Sequence, residues 1–313
     1  MEAAEVATPR GVGRRGRKKL TGRARGERRL AWMLCAPAIV AMLIVTGYPI
    51  GYAIYLSLQR YDLRFPDERE FVGLSNYADV LTSSTWWSDV WNTTIITVGS
   101  VTLELVLGMA IALVMHRAIF GRGPVRASIL IPYGIVTVVA AFAWRYAFDP
   151  ASGFVQNLPL VSDTAAPLTE RGSSFIVIIL TEVWKTTPFM ALLLLAGLAL
   201  VPDELHEAAK VDGAGPVQRF FRVTLPLMRP AILVALLFRT LDAFRVFDTV
   251  FIQTAGASGT ETVSILGYNV LINRVNLGVG SAVSVLIFIA VILIATFFVK
   301  VLGTSTAQQR GEV

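Results

Sequence analysis

Two groups of charged residues interrupt long apolar stretches of this chain, and their spacing is that of helix faces. Arg239, Asp242 and Arg245 are three residues apart, so on a helix they cover about 120° of one side, and Asp242 can pair with either arginine. Glu182, Lys185, Thr186 and Phe189 cover a face of similar width. Pro188, in the same stretch, lacks an amide hydrogen and frees the carbonyl of Trp184. A charge near the centre of a bilayer costs on the order of 3 kcal/mol even on lenient scales. These side chains are therefore expected to line an aqueous cavity or to pair as an ion cluster between helices, with Pro188 and Arg239 structural or gating. The chemistry they offer is recognition: carboxylates accept from hydroxyls, and lysine and arginine donate.

Covalent chemistry has no comparable signal. No Ser/His/Asp or paired-carboxylate constellation is present, so no catalytic residue is assigned. The two histidines, His116 and His206, lack metal-ligand spacing and read as solvated loop residues, so no metal is expected. Without a Gly-Lys dipeptide no phosphate-cradling loop can form, and any ATP must be handled by a partner.

The elements that position these residues are membrane spans. The chain has 313 residues, 54% hydrophobic and 16% charged, which does not describe a soluble globule. Apolar runs of spanning length occur at about 32–57, 93–115, 127–148, 174–200, 230–252 and 279–302. Pro132 interrupts the third, and Lys185 and Pro188 the fourth, so five or seven spans are alternatives to six. The fold class is thus an all-α membrane protein. Residues 1–30 form a basic tail, expected to be disordered through 28; residues 31–302 form the transmembrane domain, with an external loop at 59–91, a polar loop at 201–229 and a tail at 303–313. Ten Lys and Arg lie between Arg10 and Arg29, while the loops on the opposite side hold only Arg60, Arg64, Arg69, Arg171 and Arg274. Both termini and the 201–229 loop are therefore expected in the cytoplasm. A basic arm beside a span is a topology signal and a lipid-headgroup contact, not a nucleic-acid site. Cys35 has no internal partner and reads as a packing residue inside the first run. That run is too long for a cleaved signal peptide and is expected to stay as an anchor.

The 201–229 loop has its own pattern. Pro202 and Asp203 suit a helix start, with a short helix to about Val211, a break at Gly213 and Gly215-Pro216, and a second short helix anchored by Phe220, Phe221 and Val223. Glu207, Ala208, Ala209, Gly213, Val223, Leu225 and Pro226 stand at the spacing Glu-Ala-Ala, three residues, Gly, nine residues, aliphatic, any, Leu-Pro. The stretch resembles the cytoplasmic coupling loop of permease subunits in bacterial ABC importers. Phe71-Val72-Gly73-Leu74-Ser75-Asn76-Tyr77 and Asn92-Thr93-Thr94 resemble strings of the sugar-importing branch. The first also reads as an interfacial segment beside Trp86, Trp87 and Trp91. The strings Leu130 to Val139 and Glu182 to Met190 are similar to those of trehalose-importing permeases of mycobacteria.

The resemblance covers about Ala31 to Leu302, most strongly from Asn92 onward. It implies a type I ABC importer permease of the maltose/trehalose class, not itself an enzyme, in the bacterial inner membrane. Implied partners are a second homologous permease, an ABC ATPase dimer carrying ATP and Mg, an extracytoplasmic sugar-binding protein and membrane lipid. Coupling is expected at Glu207, Ala208, Ala209, Asp212 and Gly213. Relatives that import maltose draw sugar contacts from the fourth and fifth spans, which implies Glu182, Lys185, Thr186, Phe189, Asp242 and Arg245 here; the fifth-span positions carry charge where that relative has amides. An ion-coupled secondary transporter using Glu182 and Asp242 as a relay is the rival reading, and a membrane scaffold a further one.

Overall fold

The computed structural model of the protein describes residues 22–117, 122–157 and 166–310. The chain divides into two compact units, Met1–Tyr52 and Ala53–Val313. α1 (Gly22–Met42) passes through a π turn at Leu43–Gly47 into α2 (Tyr48–Ser57), within which the division between the units falls. α1 begins inside the arm for which composition predicted no structure through residue 28; Arg23, Arg25, Glu27, Arg28 and Arg29 are good helix formers and extend the span outward. Trp32, Met33, Leu34 and Ile44 expose their apolar side chains, as a lipid-facing helix does.

After α2 the second unit forms a small ribbon. β1 (Gln59–Arg60) pairs antiparallel with β2 (Glu70–Phe71), and α3 (Ser75–Thr82) follows. The Phe71 to Tyr77 string is amphipathic, with Phe71 and Leu74 exposed and Asn76 buried. Asn76 donates to the carbonyls of Ser57 and Gln59, both at 2.8 Å, and the Tyr77 and Ser57 hydroxyls lie 2.6 Å apart. Trp87 and Trp91 are exposed as an interfacial belt requires, whereas Trp86 is buried beside Val263 and Leu266.

Long helices form the body: α4 (Ser84–Arg117), α5 (Arg122–Gly134), α6 (Thr137–Ala147) and α7 (Arg171–Leu198). After α7 come α8 (Asp203–Val211), α9 (Pro216–Arg219), a π turn at Phe220–Thr224, and α10 (Leu225–Leu227). The chain then continues through α11 (Arg229–Ala243), α12 (Asp248–Gln253), α13 (Val263–Tyr268) and α14 (Leu277–Arg310). Among the described residues four helical stretches, Leu30–Ser57, Ser84–His116, Arg171–Leu198 and Leu277–Val301, are long and apolar enough to cross a membrane, and two bent pairs bring the count to six if each is one span. Pro188 does not break α7. The third run does break: α5 and α6 meet at 92°, after Gly134 and not at Pro132, with Val136 extended.

The fifth run, predicted as one span over 230–252, also departs from expectation. Its helical stretch enters through Pro216–Leu227, bends by 68° and stops at Ala243. The Arg245 and Val246 amides bond back to Asp242 and Ala243 at 3.1 Å, and Arg245 Nε donates to the Leu241 carbonyl at 3.1 Å. That carbonyl is the acceptor the Arg245 amide would use in a continuing helix, so the side chain caps the end it creates.

α4, α7 and α11 pack as the central layer, around Met109, Met190, Leu194 and Ala235. Their close approach depends on small residues. A Cβ on Gly108 would meet Met190 at 2.9 Å, and one on Gly197 would meet Ala231 at 2.5 Å.

Candidate functional site: a buried ion cluster beside a polar cavity

The central layer holds a polar cluster between its apolar contacts. Glu104 on α4 and Arg239 on α11 are 0% and 1% exposed. Arg239 engages Glu104 as a fork, Nε to Oε2 at 2.5 Å and Nη2 to Oε1 at 2.9 Å. The same Nη2 donates to Glu182 Oε2 on α7 at 2.9 Å, and Nη1 donates to Asp242 Oδ2 at 2.5 Å. All three guanidinium nitrogens are therefore committed, in the geometry that makes arginine suited to carboxylates.

Hydroxyls complete the carboxylates. Thr249 on α12 donates to Glu182 Oε1 at 2.5 Å. The Thr186 hydroxyl lies 2.7 Å from Glu104 Oε1 and 2.5 Å from the Glu182 carbonyl, one proton between two acceptors. Such satisfaction is what a buried ionic group requires, because the loss of hydration is otherwise uncompensated. Asp242 differs from the others: its side chain is 66% exposed. One oxygen is held by Arg239 and the other faces open space.

That space is a cavity of about 150 Å³, walled by Lys185, Thr186, Asp242, Arg245, Asp248 and Thr249, with Glu182 and Thr137 also contributing. Five of the six residues expected on the substrate path meet here. The sixth, Phe189, does not line the cavity; it stacks on Tyr133 at 5.3 Å, and Tyr133 carries Lys185 Nζ 5.7 Å from its ring centre. Arg239 lies behind the wall as the hub of the cluster. Asp242 pairs with Arg239 and not with Arg245, which lies past the helix end and so leaves the shared face. Pro188 is buried within α7.

Glu104, Asp248, Thr249 and Thr137 were not legible as site residues. For Glu104 a signal exists: it is the sole charge in the 93–115 run, and a lone carboxylate there demands a buried partner. Asp248 and Thr249 lie past the break after Ala243, and Thr137 opens α6 past the bend after Gly134, so none of the three shares a continuous helix with the charges the sequence singles out.

A second feature lies at the opposite end of α11. α8 ends at Val211, and Gly213 turns the chain with φ +82°, a conformation that suits glycine. The Gly213 and Ala214 amides close the helix end on the Lys210 and Ala209 carbonyls. Glu207, Ala208 and Asp212 are exposed, while Ala209 is half-buried. Downstream, Phe220 and Leu225 pack on the central core.

Residues 104–308 match the family model described as a binding-protein-dependent transport system inner membrane component. The chain belongs to this family. The permease is 54% identical over 285 residues to the trehalose transport system permease protein SugA of Mycobacterium tuberculosis, covering 91% of this chain and 92% of the relative. It is 38% identical to the trehalose/maltose transport system permease protein MalF of Thermococcus litoralis, covering 88% and 94%. Among solved structures, a chain of a bacterial ABC transporter involved in import of the acidic polysaccharide alginate superposes with a TM-score of 0.76 at 21% identity, covering 90% of this chain and 99% of that one. The fold is thus that of a type I ABC importer permease, all-α apart from the ribbon. The chain is a transport component of the inner membrane and not an enzyme. Membership sets aside the ion-coupled alternative.

Proposed function

We propose that this chain forms half of the translocation path of an ATP-driven importer of a disaccharide, trehalose, and that the cavity beside Asp242 is its share of the solute site. The observation that carries this reading is the meeting of Lys185, Thr186, Asp242 and Arg245 around one space. Solute hydroxyls would donate to Asp242 and Asp248 and accept from Lys185 and Arg245, which suits a polyol. Glu182 acts differently, because Arg239 and Thr249 already occupy its two oxygens; it positions the wall. At about 150 Å³ the cavity is smaller than the roughly 300 Å³ or more of small-molecule sites. A half-site completed by a second, homologous permease accounts for that size. The relatives named for trehalose support the choice of sugar.

The remaining parts follow from the same reading. α8 docks on an ABC ATPase dimer through Glu207, Ala208, Ala209, Asp212 and Gly213, and ATP and Mg belong to that partner. An extracytoplasmic binding protein delivers the sugar to the side carrying the ribbon. Both termini and α8 face the cytoplasm. Closure of the ATPase pair moves α8 and rocks the two permease halves.

The test is reconstitution of the permease with its partner permease, ATPase and binding protein in proteoliposomes. Labelled trehalose should accumulate only with internal-face ATP and the binding protein. Uptake driven by a proton gradient without the ATPase would overturn the reading, and ATP-dependent uptake of a different solute alone would overturn the choice of sugar.

A further inference from the structure

The chain's two histidines, placed by the sequence in separate solvated loops, line one cavity. His116 lies in the last turn of α4 and His206 on α8. With Arg219, at the end of α9, they face a space of about 540 Å³. Arg219 also lines that space, and its Nε is buried with no hydrogen-bond partner among the described residues. A guanidinium N–H shielded from water and left unbonded costs free energy, on the scale of the desolvation of a charged donor. Among the described residues no carboxylate lies within ion-pair distance of Arg219, although Asp203 lines the same cavity. The remaining walls are apolar, with Leu113, Leu198, Phe220 and Phe221 prominent among them.

Cationic and N–H donors on one side and aliphatic and aromatic walls on the other describe an amphiphile with a phosphate. The position agrees, for the cavity lies where the ends of α4 and α7 meet the entry to the fifth span. Headgroups sit at that level, and basic pockets between spanning helices hold them. The geometry points to a phospholipid site, in which the phosphate diester accepts from Arg219, His116 and His206 and the acyl-glycerol portion rests on Leu198, Phe220 and Phe221. Since α8 forms one wall, an occupied site braces the exposed Glu207 segment from behind.

The experiment uses the full-chain permease assembled with its partner subunits in detergent, reading its thermal unfolding midpoint. It is titrated in parallel with dihexanoyl phosphatidylglycerol, dihexanoyl glycerol and inorganic phosphate. The phospholipid should raise the midpoint saturably, and neither of the others should at equal concentration. Arg219→Gln should weaken half-saturation at least about tenfold, equivalent to about 1.4 kcal/mol. An unchanged half-saturation in Arg219→Gln overturns the site. An equal rise with inorganic phosphate means a free-anion site, an equal rise with dihexanoyl glycerol means a merely apolar groove, and either overturns it. Should Arg219→Gln not assemble, His206→Gln carries the test. Weakening of about threefold supports the site, and no change overturns it.

Discussion

Replacing Arg239 should damage this protein far more than replacing Glu104, although the two residues share a bidentate pair. Arg239 makes four hydrogen bonds to three carboxylates on α4, α7 and α11 itself. Arg239→Gln leaves Glu104 and Glu182, with side chains 0% and 9% exposed, as like charges sharing one dry space. Breaking a buried pair in this way costs about 3–5 kcal/mol. Glu104→Gln has the opposite effect on charge. With Asp242 solvated, the buried groups are two carboxylates and one guanidinium, so neutralising Glu104 leaves Arg239 balanced by Glu182. What is lost is one bond of the fork, about 1.5–3 kcal/mol, while the other survives to a neutral amide oxygen, and the loss is partly offset by removing the repulsion between Glu104 and Glu182. Arg239→Gln should therefore be the more destabilising by about 2 kcal/mol. At about 2 °C per kcal/mol for a chain of this size, its unfolding midpoint should lie about 4 °C below that of Glu104→Gln. The assay is thermal unfolding of each variant in detergent, with the double variant completing a cycle. Equal losses, or a larger loss for Glu104→Gln, would refute the idea that Arg239 is the countercharge holding the cluster.

Other expectations follow from the same geometry. Asp242→Asn should assemble and hydrolyse ATP but take up sugar more weakly, by about 1.5–3 kcal/mol in apparent affinity for one lost hydroxyl-to-carboxylate bond; unchanged uptake kinetics would leave Asp242 as a strut for Arg239. Glu207→Ala should insert normally yet lose ATPase docking and uptake, and full uptake by a stably assembled variant would sink the coupling role. In a Cys35→Ala background, Lys210→Cys should resist an impermeant reagent in intact cells while Glu68→Cys reacts, and the reverse pattern would invert the topology. The Arg64 side chain and amide hold the Asp62 carboxyl down at about 2. Its folded value lies below the unfolded one, so its contribution is complete above about pH 4 and fades as pH falls toward 2. The difference in unfolding midpoint between the protein and Asp62→Asn should accordingly be flat from pH 7 to about 4 and shrink below that, and a change near neutrality would point to a different group.

The apolar runs were readable because a bilayer imposes length and composition together, and the α8 turn was readable because Pro202 and Gly213 have few other uses. Breaks inside runs were not. Pro132 and Pro188 look alike in sequence, but α7 runs through its proline, and the third run bends only after Gly134. The end of α11 depends on Arg245 folding back to the Leu241 carbonyl, which hydropathy does not register. The site divided in the same way. Charges at helical spacing pointed to Lys185, Asp242 and Arg245. That spacing also implied that Arg245 shares a helix face with Asp242, which the break removes. Glu104 lies some 135 residues from Arg239 in the chain, and only the packing of α4 on α11 makes them partners. The Phe71 to Tyr77 string reads as an interfacial segment, and Phe71 and Leu74 are exposed as that requires, but the bonds of Asn76 and Tyr77 to the end of α2 carry no hydropathy signal.

The position of Arg239 bears on how an ATPase could act on the cavity at all. α11 carries Arg229 at one end and Asp242 near the other, about 20 Å apart at 1.5 Å per residue. Its first end joins the α8–α10 segment across a 68° bend, so a push on Glu207 arrives there first. A helix tethered only by apolar contacts can slide or rotate under such a push, since those contacts lack direction. A guanidinium forked onto Glu104 and also bonded to Glu182 cannot slide without breaking charge-assisted bonds in a dry interior, which is costly. Under the proposed cycle α4, α7 and α11 therefore move as one body, and the displacement appears at the cavity rim. There Asp242 is anchored by a single oxygen, while Lys185 and Arg245 are bonded to no carboxylate among the described residues. The rigid contacts lie behind the wall and the adaptable ones face the cavity, an arrangement that would let the proposed solute site change its grip without the helices that build it coming apart.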